Sequence, residues 1–303
     1  MKIAIKNADS YRKEKRGYLA SSRIRGHWLA KYWKKCDDFF YPEEFNMTNE
    51  EFFNPENQFR ILEKYDVVIF NKTYEWKLAK MLTDNGIKVI VDMCDPNHLP
   101  TEPDGRSEKN CLLTFMFCSV IVVNTQALAD SVRSYTDKPV YIIPDRLDLE
   151  WHKPKKEKYR EDLNHLVWYG YAENYPNIEA YLPEILKKYE ITLISNKPPE
   201  MILIGDVRNK ITYKTWHPET VCEQIVNTDC VFIAKNENEY KSNNRTITGW
   251  ALKMPVAYDL DDLKKLKSRE ARIKNANEGY ILTKEKFDIK LSVEEYKKII
   301  DIL

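Results

Sequence analysis

Glycine is scarce in this chain, with 8 residues among 303, where an ordinary composition at about 7% would hold roughly 21. Neither G-x-G-x-x-G nor G-x-x-x-x-G-K-[ST] occurs, which excludes both common glycine-rich phosphate loops. Paired cysteines are missing too. Cys36, Cys94, Cys111, Cys118, Cys222 and Cys230 form no C-x-x-C pair, so a zinc or disulfide framework is not supported and reduced, mostly buried thiols are expected. Charge of one sign is not in excess: 48 Lys+Arg face 47 Asp+Glu, which excludes a chain whose whole surface is built to bind polyanions. Long apolar runs are also lacking. The stretch 111–129 carries no formal charge but contains Thr114, Ser119, Asn124, Thr125 and Gln126, and reads as a buried helix end followed by a strand rather than a membrane span. At the amino terminus, Lys2 and Lys6 interrupt an apolar stretch too short for a signal peptide, so a cytoplasmic protein is expected.

What is present is enough apolar material, 43% of residues, for roughly two domains of ordinary size. Short β-branched runs alternate with longer amphipathic segments, the pattern of parallel strands joined by crossover helices. The first series of predicted strands is 2–6, 66–70, 87–92, 119–124 and 139–143. The second is 166–169, 191–195, 210–213, 229–234, 255–258 and 280–282. Between them the basic, proline-containing segment 151–165 suits a surface linker. The expected fold class is α/β, with two Rossmann-like domains, 1–150 and 166–288, facing across a cleft, and a closing helix 289–303 returning toward the first domain. Pro218 with Glu219 predicts one helix start. Ser292 with Glu295 predicts a capping box, followed by Tyr296, Ile299, Ile300 and Leu303 at helical spacing.

In such domains ligands gather beyond the carboxyl ends of the strands. After 229–234 come Lys241, Ser242, Asn243, Asn244 and Arg245, leading into a helical pattern at 246–252. Free N–H groups and flanking cations there could hold a diphosphate; an N-cap with solvated charges is the plainer alternative. Gly170 and Tyr171 follow the strand 166–169, where a glycine lets backbone approach a ligand or simply makes a turn. Ser195, Asn196 and Lys197 end the next strand, and Tyr213 and Trp216 the third; an amide or aromatic there could hold a nucleobase, or belong to the core or its rim. Asp92, Cys94, Asp95 and His98 end a strand of the first half. Their spacing matches no common zinc pattern, and Asp95 and His98 are read as cleft residues. Asp259 and Asp261 form a D-x-D, which an N-cap explains more simply than a metal. Residues 1–35 carry a charge excess of +9 and residues 36–66 one of −7. Arg12, Lys13, Lys15, Arg16, Arg23 and Arg25 thus form a cationic lip suited to an anionic substrate or acceptor, or balance the acidic segment. Arg23 and Arg25, just after Ser22 at the head of a predicted helix, are the acceptor-side candidates.

The segments SSRIRGHWLAKYW, KVIVDMCD, VIVVNTQALADSVRSYTDKPVYIIPDRLDLEWHKP, LVWYGYAENYPN and DCVFIAKNENEYKSNNRTITGWALKMPVAYD together resemble the retaining, two-Rossmann-domain (GT-B type) glycosyltransferases, closest to glycosyltransferase family four. The resemblance implies transfer of a sugar from a nucleotide-sugar donor, a cosubstrate, without cofactor or metal. It assigns Gly170 to the first donor-domain loop and Lys241 to Arg245 to the diphosphate. Thr248 stands where the family commonly carries the second of two acids. Glu237 or Glu239 corresponds to the first, and Lys253-Met254-Pro255-Val256 replaces the usual glycine turn. On this reading Lys241 and Arg245 stabilise the departing diphosphate. The acceptor stays open among a cell-envelope glycan, a lipid-linked intermediate, a protein, a small metabolite or a modified nucleobase, with no general nucleic-acid binding expected. Thr248 also favours a competing reading, a non-catalytic nucleotide-sugar or partner-binding module. A nicotinamide enzyme is disfavoured by the missing glycine loop.

Overall fold

The computed structural model describes residues 1–8, 19–38, 41–100, 106–199, 209–234 and 238–303. The chain divides into two compact units: Met1–Arg146 with Asn238–Ser242 and Ile289–Leu303, and Leu147–Glu237 with Asn243–Asp288. Each is a parallel α/β layer structure, so the chain has two Rossmann-like folds. Among the described residues no helix is long and apolar enough to cross a membrane.

The first unit holds β1 (Ile3–Asn7), β2 (Cys36–Asp37), β3 (Val67–Asn71), β4 (Lys88–Met93), β5 (Val120–Val123) and β6 (Val140–Ile142). They form one sheet in the order β2-β1-β3-β4-β5-β6, every pairing parallel. Both faces are covered, which is why the strands read as continuous apolar runs. Val68 and Phe70 point into one core with Leu78 and Phe115; Val67 and Ile69 point into the other with Leu29, Tyr296 and Ile300. β2 was not legible in the sequence, because two residues carry no periodicity.

The second unit holds β7 (His165–Tyr169), β8 (Glu190–Ser195), β9 (Ile211–Thr215), β10 (Cys230–Phe232) and β11 (Val256–Ala257), parallel in the order β11-β10-β7-β8-β9. Leu166 and Trp168 face one core and Val167 and Tyr169 the other. Here the segment 151–165 is pinned by its own lysines. Lys155 Nζ donates to the Ala251 carbonyl (2.7 Å), and Lys156 Nζ to those of Val226 and Thr228 (3.0 and 2.6 Å). Ammonium groups thus sit at the carbonyl ends of two helices, where the dipole favours them.

Three local expectations are corrected. Residues 280–282, expected as a strand, lie in the helix Arg269–Lys286. Its buried stripe is small, with Ala276, Gly279 and Thr283, and a Cβ on Gly279 would stand 2.2 Å from the Trp250 ring. The apolar triplet therefore mimicked a strand while close helix packing decided the element. The capping box at Ser292 does not form, because the last helix, Ile289–Asp301, begins three residues earlier. Arg146 takes both residues instead: Nη1 donates to Ser292 Oγ (3.2 Å), and the guanidinium grips Glu295 in a fork (2.7 and 2.8 Å). Pro218 does not open its helix, which runs Val221–Val226 after a turn in which the His217 carbonyl accepts from Thr220 and Val221.

Arg272, 1% exposed, was not singled out in the sequence. It donates to the carbonyls of Leu266 and Lys267 (3.0 and 2.7 Å) and of Arg160 and Glu161 (2.6 and 2.9 Å). Arg272→Met should lower the stability of the second unit by about 3 kcal/mol, because four inward-facing carbonyls lose a charged donor. Urea denaturation measures this; an unchanged midpoint would show that water replaces the guanidinium.

Candidate functional site

In a sheet ordered β11-β10-β7-β8-β9 the strand order reverses between β10 and β7, and the crevice beyond their carboxyl ends is the place for a ligand. Gly170 stands there, its N–H donating to the Ile194 carbonyl (3.1 Å). An added Cβ would lie 3.2 Å from the Trp168 ring and 3.4 Å from Arg245 Nη1, so the absent side chain lets Arg245 lie directly against the turn. Tyr169 Oη donates to the Arg245 carbonyl (2.6 Å), fixing the backbone at the first turn of the helix Asn244–Ala251. Asn243 precedes that helix without capping it, and its first turn carries no acidic residue. Gly249 lets the helix pack closely, since a Cβ there would stand 3.0 Å from a Val256 methyl. Arg245 Nη1 is closed to solvent and has no hydrogen-bond partner, and burial lowers the proton affinity of this guanidinium. A half-buried cation with a solvent-closed Nη1 that lacks an acceptor, at a helix start with free N–H groups, is a preformed site for an anion.

Around it, Asn196 Oδ1 accepts from the Ala172 N–H (2.9 Å) and from Ser195 Oγ (3.1 Å). The Ser195 carbonyl accepts from Tyr213 Oη (3.0 Å) and from the Trp216 N–H (2.8 Å). Ser195, Asn196 and Trp216 therefore brace the loops after β7, β8 and β9. Tyr171 opens the turn after Gly170 with its ring 39% exposed. Thr248 lies half-buried in the helix.

Lys241 and Ser242 belong to the first unit. Lys241 Nζ pairs with Asp95, which Lys72 also pairs. Burial opposes ionisation of Asp95, but Lys72 and Lys241 outweigh it and hold the carboxyl below its ordinary value. Ser242 Oγ donates to Asp145 Oδ2 (2.5 Å). His98 is buried, with Nε2 on Ser131 Oγ (2.8 Å) and its ring edge-on to Tyr135; burial alone lowers its pKa. Arg25 is a strut: it pairs with Asp92 (2.5 Å) and Asp145 (2.9 Å) and donates to the Ile143 carbonyl (2.9 Å). Tyr296 of the last helix donates to the same Asp92. Arg23 lies over the Trp28 ring. Asp259 caps its helix through the Asp262 N–H (2.9 Å). Arg12, Lys13, Lys15, Arg16 and Glu237 lie outside the described residues.

The first sheet also reverses its order, between β1 and β3, and there it carries Asn7 and Asn71, which the sequence reading missed. Register aligns Asn7 with Asn71 and Asn71 with Asp92, a polar row across the carboxyl ends of three neighbouring strands. Ala20–Ser22, Arg23–His27 and Trp28–Tyr32 run on as one helix, wound wider in its middle segment, and its Gly26 sits so close that a Cβ would lie 1.9 Å from Asn7 Oδ1. The sequence signal was faint: one asparagine at the end of each of two apolar runs.

No protein-family description and no curated protein sequence matches the chain. Solved structures do. HepE of Anabaena, in complex with UDP and glucose, aligns over 100% of both chains at 10% identity with a TM-score of 0.67. An alpha-glucosyltransferase in complex with UDP and a 13-mer DNA containing an HMU base aligns over 99% of both at 11% identity and 0.70. TarM aligns over 81% of this chain and 58% of its own at 11% identity and 0.63. The shared property is the fold, the two-Rossmann architecture of GT-B glycosyltransferases.

Proposed function

We propose that this protein is a glycosyltransferase whose second unit binds a uridine diphosphate sugar and passes the sugar to an acceptor hydroxyl. The observation that carries the reading is Arg245: a half-buried guanidinium whose Nη1 is closed to solvent and unsatisfied, against Gly170, at a helix start and at the reversal of strand order. UDP in the solved structures of HepE and of the alpha-glucosyltransferase supports uracil as the base. In transfer the bond from the anomeric carbon to the diphosphate oxygen breaks, UDP leaves with the bonding pair, and a bond to the acceptor oxygen forms as its proton passes to the departing diphosphate oxygen. Arg245 and the helix N–H groups stabilise the charge growing on the diphosphate, an effect that often dominates such catalysis. The family-four resemblance favours retention at the anomeric carbon. UDP-glucose with a panel of hydroxylated acceptors tests the reading: release of UDP with a glycosylated product supports it. UDP binding without release would favour the non-catalytic module, for which Thr248 in place of an acid speaks.

Because protein cations meet the diphosphate charge, chelation with excess EDTA should leave at least half of the transfer rate, measured as UDP release. A loss of tenfold or more, restored by one divalent ion, would instead place a metal on the diphosphate.

A further inference from the structure

In the second unit, lysines gather around one tyrosine ring with no carboxylate to answer them. The Nζ atoms of Lys155, Lys253 and Lys284 stand 5.1, 5.0 and 5.8 Å from the centre of the Tyr280 ring. Burial lowers the proton affinity of the Lys155 ammonium, and the charges of Lys153 and Lys253 nearby lower it further. Among the described residues, none of these four lysines forms an ion pair. Lys155 Nζ is fixed by donating to the carbonyls of His152 (3.0 Å) and Ala251 (2.7 Å), which leaves one of its three protons over. Lys253 is fixed through its backbone. Its N–H donates to the Trp250 carbonyl and that of Met254 to the Gly249 carbonyl (2.9 Å each), a helix closure whose left-handed residue is usually glycine. Here Lys253 takes that conformation, at φ 56°, and its carbonyl accepts from Tyr159 Oη (2.6 Å).

Helix ends and ring together do not account for so much charge. The carboxyl ends of the helices Asn244–Ala251 and Arg269–Lys286 attract lysines, but each carries only about half a negative charge. One ring offers two faces to three cations. Ammoniums this close repel one another over distances that physiological salt, with a Debye length of about 8 Å, screens only in part. Lys253 adds backbone strain that glycine would avoid. We infer that Lys153, Lys155, Lys253 and Lys284 form a binding site for the phosphate group of a soluble phosphate monoester, whose dianionic oxygens accept from these ammoniums. A bilayer surface fits less well, because Ile281, the exposed apolar residue next to Tyr280, has Glu278 and Glu285 three and four residues away on its own helix face. The site is distinct from the anion site at Arg245. Arg245 opens the helix that Lys253 follows, and its eight residues span about 12 Å, too far for one phosphate to bridge. The inference stands apart from the glycosyl-transfer reading.

The test is a titration of the full chain with inorganic phosphate and with glucose 6-phosphate, against sodium chloride at equal ionic strength, followed by amide NMR shifts that resolve this site from the helix start at Arg245. Shifts at Lys253, Tyr280 and Lys284 should saturate with both phosphates and not with chloride. Lys253→Gly and Lys284→Gln should each weaken the binding about fivefold or more, the loss of one charge-assisted hydrogen bond. Lys253→Gly should do so without lowering the melting temperature, because glycine suits the left-handed turn, so lost binding there is not lost folding. An equal response to chloride, shifts that appear only around Arg245, or unchanged affinity in both variants would overturn the inference. So would binding to vesicles of phosphatidylcholine with phosphatidic acid in a chain that ignores both soluble phosphates, which would make the cluster a bilayer contact.

Discussion

Arg245→Ala should lower turnover by a factor of about 10² or more and weaken UDP binding at least tenfold, while leaving the fold as stable as before. The first effect follows from removing a preorganised charge at the point where negative charge develops; the second, from one charged hydrogen bond being worth about 1.5–3 kcal/mol. Stability is spared because Arg245 Nη1 has no hydrogen-bond partner to lose, and a half-buried guanidinium is itself disfavoured by desolvation. Arg245→Lys should recover part of the affinity but not the fork geometry. Lys241→Ala is the informative contrast: Lys241 pairs with Asp95, so its loss also releases a carboxylate, and a smaller fall in UDP affinity than for Arg245→Ala is expected. Calorimetric titration with UDP decides. Wild-type affinity in Arg245→Ala would remove the diphosphate from this helix start.

Removing residues 289–303 should unfold the first unit. That helix buries Ile289, Val293, Tyr296, Ile299 and Ile300 against the Leu29, Ile69 and Val122 side of the first sheet. At about 1.5–3 kcal/mol for each large apolar side chain, the loss is of order 10 kcal/mol, as large as the whole stability of an ordinary domain. Deletion also strips Tyr296 from Asp92 and Glu295 from Arg146, leaving a buried carboxylate and a buried guanidinium short of partners. The truncated chain should be insoluble, or bind a hydrophobic dye and lose one of two unfolding transitions in urea. Wild-type unfolding would show that the helix is an appendage.

The amino-acid sequence by itself determined the class of fold. Parallel strands buried on both faces must be apolar along their whole length, so β1, β3 to β8 and β10 are visible as short β-branched runs, and the last helix as a stripe. The glycine at the end of β7 and the cationic start of the helix after β10 were legible for the same reason, since they sit at fixed places relative to those runs. Partners were not legible, because charge pairs and register join residues far apart in the chain. Arg25 reads as a surface cation until Asp92 and Asp145, 67 and 120 residues away, are brought around it. Ser292 and Glu295 read as a helix cap until Arg146 reaches them from 146 and 149 residues away. The row of Asn7, Asn71 and Asp92 exists only once three strands align in register. Local periodicity sets which face of an element is apolar; which polar group escapes water, and what it meets there, is settled only when distant segments pack.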